Sequence, residues 1–125
     1  MPERIQRKRV RGWRLPMNTV SITRPGYWGN PYRVGATVRS VLATDSRLWD
    51  WGGLRNLPDD HVLTAQECVD AYEKWIHRKI GESGWTLAYE ASIRLRGMDL
   101  ACWCAEGEPC HGLPLLRAAN PEVGS

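Results

Sequence analysis

Asp99-Leu-Ala-Cys-Trp-Cys-Ala-Glu-Gly-Glu-Pro-Cys-His-Gly112 constrains the fold more than any other stretch of the chain: a short apolar run ends in a cysteine-rich loop, and a second apolar run over residues 113–120 follows at once. The first run reads as a strand and the second as a helix. Alternation puts Leu100, Cys102 and Cys104 on one face of the strand and Ala101 and Trp103 on the other. Both faces are apolar, so the strand is predicted to be central and covered on both sides. A loop that leaves the carboxyl end of a central strand and enters a helix presents backbone N–H groups and the positive end of the helix dipole, a place for an anion. The sequence thus points to where a ligand binds before it says which ligand.

The remaining elements are read around that strand. Thr19-Val-Ser-Ile-Thr23 alternates and is β-rich, and predicts a first strand that Arg24-Pro25-Gly26 stops. Tyr27-Trp28-Gly29-Asn30-Pro31-Tyr32 is a loop by composition. Two aromatics, an amide and a glycine at a strand's carboxyl end make a binding loop. Residues 38–43 read as a weaker strand, and residues 45–60, with Trp49, Trp51, Gly52, Gly53 and Pro58, as an irregular or hairpin-like excursion. Thr64-Ala-Gln-Glu67 is a capping box. A helix begins there, with Cys68, Val69, Tyr72, Trp75, Ile76 and Ile80 on its apolar face. Leu87, Ala91 and Leu95 mark a second helix that stops at Gly97. Strands separated by helices, each ending in an unusual loop, predict a small three-layer Rossmann-like α/β domain with a mostly parallel sheet. Ligands of such sheets bind beyond the carboxyl ends of the strands.

At 125 residues the chain is long enough for one domain with its own core. Its net charge of +3 is unevenly placed: Arg4, Arg7, Lys8, Arg9, Arg11 and Arg14 face Glu3 alone in the first fourteen residues, while the rest of the chain is slightly acidic. Residues 1–16 are therefore read as a basic N-terminal arm and residues 17–125 as the α/β domain. Arg7, Arg9 and Arg14 of the arm are candidate contacts to phosphate or nucleic acid. There is no Phe, and seven Trp carry much of the aromatic content. Each buried indole N–H needs a partner, so some of these rings are expected at a surface or pocket.

No apolar run approaches the ~20 residues that cross a membrane, and no signal peptide is apparent. A cytoplasmic protein is expected. Three of the four cysteines, Cys102, Cys104 and Cys110, fall within nine positions, unlike a secreted disulfide framework, and are read as reduced thiols.

The assembled blocks Arg4-Ile-Gln-Arg-Lys-Arg9, Gly12-Trp-Arg14, Arg24-Pro25, Trp28-Gly-Asn-Pro31, Leu95-Arg-Gly97, Leu100-Ala-Cys-Trp-Cys104 and Cys110-His111 resemble those of an uncharacterised family of bacteria and their phages, domain of unknown function DUF4326. The resemblance spans nearly the whole chain, with residues 38–60 as extra length. It implies a Rossmann-like α/β fold and site positions at Arg24, Trp28, Asn30, Cys104, Cys110 and His111. It implies no activity.

Three chemistries compete for these residues. Cys102, Cys104, Cys110 and His111 carry zinc-binding atoms, but structural zinc sites usually separate paired ligands by two to four residues, and here the pairs are Cys-Trp-Cys and adjacent Cys-His. No metal or cofactor is expected. Nucleophilic chemistry would use Cys110 at a helix N-terminus, or Cys104, with His111 as base or imidazolium partner. Recognition of phosphate or nucleotide would use the amides around Gly112, the fork of Arg24, the amide of Asn30 and a stacking ring at Trp28, with Gly29 shaping the loop.

The expected function is therefore binding of a nucleotide or nucleotide-derived phosphorylated small molecule at the carboxyl edge of the sheet, with hydrolase or transferase chemistry left open. One alternative is a non-catalytic phage sponge for an immune signalling nucleotide. Another is a nucleic-acid-binding protein that uses the basic arm.

Overall fold

The computed structural model describes residues 2–24, 26–104 and 107–121. Three short strands, β1 (Arg4–Gln6), β2 (Thr19–Ser21) and β3 (Asp99–Cys102), form a parallel sheet in the order β1-β3-β2. Five helices, α1 (Val38–Thr44), α2 (Ser46–Trp51), α3 (Ala65–Ile76), α4 (Leu87–Arg94) and α5 (Gly112–Ala119), and a 3₁₀ turn at Leu54–Asn56 complete the described elements. No described helix is long and apolar enough to cross a membrane.

The central strand is the expected one. Leu100, between Arg4 and Val20 in the register, has neighbours on both sides. Leu100, Ala101 and Cys102 are all buried, which is why the run is apolar on both faces. Leu100 and Cys102 join Ile22, Trp28, Tyr72, Leu95 and Leu115 in the main core, where the sheet meets α3, α4 and α5.

β1 lies inside the residues read as a basic arm. Arg4–Gln6 is too short to show alternation, and the arginines in and after it mask a strand held by pairing with β3. Arg4 and Arg7 are thereby brought against the sheet, while Lys8, Arg9, Arg11 and Arg14 stay exposed.

Residues 38–43 are helical rather than extended. The Thr37 hydroxyl accepts from the Ser40 amide as an N-cap, and Val38 and Val41, three apart, turn one face into a second core with Tyr32, Leu54, Leu63 and Cys68. The excursion at residues 45–60 is helical too: Asp45 closes α1 and caps α2 by accepting from the Arg47 amide. An isolated antiparallel bridge between Thr37 and Val62 closes its base. The Thr64/Glu67 capping box at the start of α3 forms as read, with both reciprocal bonds present. Trp75 on α3 packs against both cores and joins them.

Candidate functional site

The carboxyl ends of β2 and β3 open onto a cavity of about 310 Å³. Thr23, Arg24 and Asn30 reach it from the loop after β2, Cys102, Trp103 and Cys104 from the end of β3, and His111 from the start of α5. The amino-terminal part of α3 contributes Ala65, Cys68 and Val69. The two loops singled out in the sequence therefore meet at one edge of the sheet, as the parallel topology requires.

The β2 loop is held by a chain of local bonds. The Gly26 amide donates to the Thr23 carbonyl and the Gly29 amide to the Gly26 carbonyl, two successive turns. At Gly29 a Cβ would stand 3.0 Å from both the Arg24 nitrogen and Cα, so a side chain there would press on the Arg24 backbone. Asn30 spends its amide on the fold: Nδ2 donates to the Cys68 carbonyl at 3.2 Å, and Oδ1 accepts from the Tyr32 amide at 2.9 Å. It positions the cavity wall, where the sequence suggested a reader of a ribose or base.

Trp28 is a core residue. Its ring is only 5% exposed and meets the Tyr27 ring edge-on, so it is not open for a base to stack on. The aromatic that the cavity offers is Trp103, 40% exposed. The guanidinium groups of Arg7 and Arg9 lie 4.6 and 4.4 Å from its ring centroid. Arg7 also donates to the hydroxyls of Ser21 and Thr23, which ties the first segment to the cavity rim. Arg14 is exposed and makes no ring or ion-pair contact among the described residues.

The helix N-terminus is less open than the sequence implied. Gly112 is buried, and its amide donates to Cys110 Sγ at 3.4 Å. The Leu113 amide donates to the Cys110 carbonyl, and position 114 is proline, which has no N–H. The amides around Gly112 are thus committed to the protein, and an anion in the cavity would meet Arg24 rather than a bare helix end.

His111 Nε2 lies 2.8 Å from the Ile22 carbonyl oxygen. A carbonyl only accepts, so Nε2 carries the proton. Burial pushes the imidazole pKa down, more than the bond to Ile22 restores it, and the ring is neutral with Nδ1 as a lone pair. The ring stands edge-on to Tyr72, 4.8 Å between centroids. A neutral imidazole at a cavity wall can take a proton or accept a hydrogen bond there.

The thiols cluster. The sulfur atoms of Cys102, Cys104 and Cys110 all lie within 4.8 Å of one another, and those of Cys102 and Cys110 are 3.0 Å apart. All four cysteines are free, Cys102 and Cys110 included despite the closeness of their sulfurs. Hydrogen bonds from the Cys104 and Cys110 thiols, and then from Arg4, push the pKa of Cys102 down against burial. Donation to Cys102 pushes the thiols of Cys104 and Cys110 up. The candidate nucleophiles Cys110 and Cys104 thus share one hydrogen-bonded thiol cluster with Cys102, at the end of the central strand. Arg4 Nη1 donates to Cys102 Sγ at 3.3 Å and to the Cys104 carbonyl at 2.7 Å.

Trp103, Arg4 and Thr23 are the site residues that sequence reading missed, and Cys102 was weighed there only as a zinc ligand. Trp103 carried one legible signal, its place directly after the central strand. Arg4 carried none, because only the pairing of β1 with β3 brings it there. Pro25, in one of the motif blocks, and Glu106, in the cysteine loop, lie outside the described residues.

A family model described as "Domain of unknown function (DUF4326)" matches residues 5–121. No curated protein matches the chain, and no solved structure does.

Proposed function

The chain belongs to this family of unknown function, DUF4326, and we propose that it binds a nucleotide or a nucleotide-derived phosphorylated small molecule in the cavity at the carboxyl edge of the sheet. One observation carries the reading: among the described residues lining the cavity there is a guanidinium, Arg24, beside a half-exposed indole, Trp103, and no carboxylate. A cation without a competing acid suits a phosphate, and an indole face suits a base. The cavity volume is at the lower end of that of small-molecule sites, ~300–1,000 Å³.

Neutral His111 is the group suited to move a proton if the ligand is turned over at a glycosidic or phosphate-ester bond. Without turnover the same cavity would sequester a signalling nucleotide. Native mass spectrometry of the purified protein, with extraction and mass determination of bound material, tests the reading. A co-purified phosphorylated nucleoside, lost in Arg24→Ala, is expected. Recovery of unchanged ligand after incubation favours the sequestering role, and recovery of a product favours the enzyme. A protein that is empty and takes up no nucleotide would overturn the proposal.

A second reading has its own observation. Arg7 and Arg9 both stack on Trp103, and Gln6, Arg7, Lys8, Arg9 and Trp103 line a shallow, open depression. Cations interleaved with an exposed aromatic suit a single-stranded nucleic acid, whose backbone and bases they would hold together.

A further inference from the structure

We propose that Cys102, Cys104 and Cys110 form a three-thiolate site for zinc(II), with its fourth coordination position turned toward the cavity. The inference is independent of the identity of the cavity's ligand.

The chain geometry explains why an unusual spacing serves. Cys102 ends β3 and Cys104 is two residues on, past a bend at Trp103, and the chain there keeps the two sulfurs close together. Cys110 comes back to them just before α5. The spacing that argues against a zinc knuckle, where a turn separates paired ligands, therefore does not apply to a strand end facing a helix start.

The distances fit one ion. With Zn–S bonds of ~2.3 Å, tetrahedral coordination puts ligand sulfurs about 3.8 Å apart. The three sulfurs here all lie within 4.8 Å of one another, and the 3.0 Å pair has only to separate slightly to admit the ion. A multi-iron cluster would need its cysteines spread around several metal atoms.

N–H groups already point at two of the three sulfurs: Arg4 Nη1 at Cys102 Sγ and the Gly112 amide at Cys110 Sγ. Donors of this kind stabilise thiolate and orient it, the usual outer support of a metal ligand. Three thiolates on a divalent ion leave one negative charge in excess, and the Arg4 guanidinium offsets it. Soft sulfur donors select zinc or copper(I) over magnesium and calcium, and the divalent ion leaves less uncompensated charge than the monovalent one.

His111 is not the fourth ligand. Its Nε2 is held by the Ile22 carbonyl, and its ring nitrogens do not join the cluster of mutually close donors. Cys102 and Cys104 both line the cavity, so the open position faces it and takes water or a donor atom of a bound molecule. On binding, the ion replaces the thiol protons, which leave to solvent, and no oxidation is involved.

The test is titration of the full, chelator-treated and reduced chain with cobalt(II), followed by zinc(II). Intense near-ultraviolet sulfur-to-cobalt charge transfer with tetrahedral visible bands is expected, saturating at about one ion per chain and lost on adding zinc. Cys104→Ser, at the half-buried member of the cluster, should weaken zinc binding by more than ~10-fold and Arg4→Met by about 10-fold, while His77→Ala at an exposed histidine leaves it unchanged. Cys110→Ser should act like Cys104→Ser where circular dichroism shows it folded. A folded, reduced wild-type chain with no charge-transfer band would overturn the proposal. So would a folded Cys104→Ser variant that binds as tightly as wild type.

Discussion

The Tyr72 hydroxyl, on α3, donates a 2.7 Å hydrogen bond to the main-chain carbonyl of Trp28, in the loop after β2. Burial raises the phenol pKa well above its usual value, so the donor keeps its proton at any pH the fold survives. The bond ties the loop that carries Arg24 and Asn30 to the helix that lines the cavity. Tyr72→Phe leaves the buried carbonyl without that donor and should destabilise the protein by about 1–3 kcal/mol. Denaturant unfolding measures the loss. An unchanged midpoint would mean that the loop does not depend on the bond.

Gly29→Ala probes the same loop from the backbone side. The added methyl would stand 3.0 Å from the Arg24 nitrogen and Cα, and neither atom is the end of a flexible side chain. Relief requires the loop to move away from Arg24, at a cost of ~1–3 kcal/mol for the overpacked contact. Retention of the co-purified ligand should fall more than this loss of stability accounts for, because the guanidinium moves with its backbone. Comparing ligand occupancy by native mass spectrometry with the thermal midpoint separates the two effects. Full occupancy at a lowered midpoint would remove Arg24 from the binding role.

The parts of the fold that were legible are those whose signal is local. The strand at residues 99–102 announces its central position because both alternating sets are apolar, and α3 announces its start because Thr64 and Glu67 satisfy each other's amides. Residues 38–43 were misread because Val38 and Val41 fit a helix while the β-branched content suggested a strand, and the Thr37 cap decides the matter. At the site, Trp28 and Trp103 exchange the roles the sequence suggested. Both follow a strand, and the Trp28 ring is covered by its place in the main core and by the edge of Tyr27, contacts that no spacing encodes. The downward push on the Cys102 thiol is equally hidden from the sequence, because its donors come from Arg4, 98 residues away, and from the other two thiols.

Glu67 makes the start of α3 sensitive to acid. Its carboxylate accepts from the Thr64 amide at 2.9 Å and lies 2.8 Å from His61 Nε2, and these contacts, the Thr64 backbone bond foremost, hold its pKa below the usual glutamate value. A folded-state pKa below the unfolded one adds stability above the unfolded value, ~4.3, and that stability is lost as pH falls through the lower folded value. Glu67→Gln keeps a capping-box acceptor but removes the charge. It should cost about 0.3–1 kcal/mol at neutral pH and nothing once the wild-type carboxyl is protonated. Unfolding free energies of the two proteins, measured from pH 7 downward, should therefore converge below pH ~4. Parallel curves would show that the charge of Glu67 contributes nothing.

Ionic strength separates the two occupants considered for the Trp103 edge. A phosphorylated small molecule held mainly by Arg24 in the cavity meets few cations, so its affinity should fall by less than about 10-fold between 50 and 500 mM salt, in keeping with a shallow counterion slope. Arg9→Ala should leave that affinity nearly unchanged, because Arg9 stacks on the indole but is absent from the cavity wall. Single-stranded nucleic acid would behave otherwise: each neutralised phosphate adds ~0.7 to the slope of log affinity against log salt, and Arg7, Lys8 and Arg9 would each take a share. Trp103→Ala weakens either ligand through lost stacking, by ~1–3 kcal/mol per base, and so confirms that this edge is used without saying by what. Fluorescence titration of the Trp103 environment with a nucleotide and with an oligonucleotide, at two salt concentrations in wild type and Arg9→Ala, gives the answer. A shallow slope that survives Arg9→Ala supports the cavity ligand, and a steep slope that Arg9→Ala flattens transfers the assignment to nucleic acid.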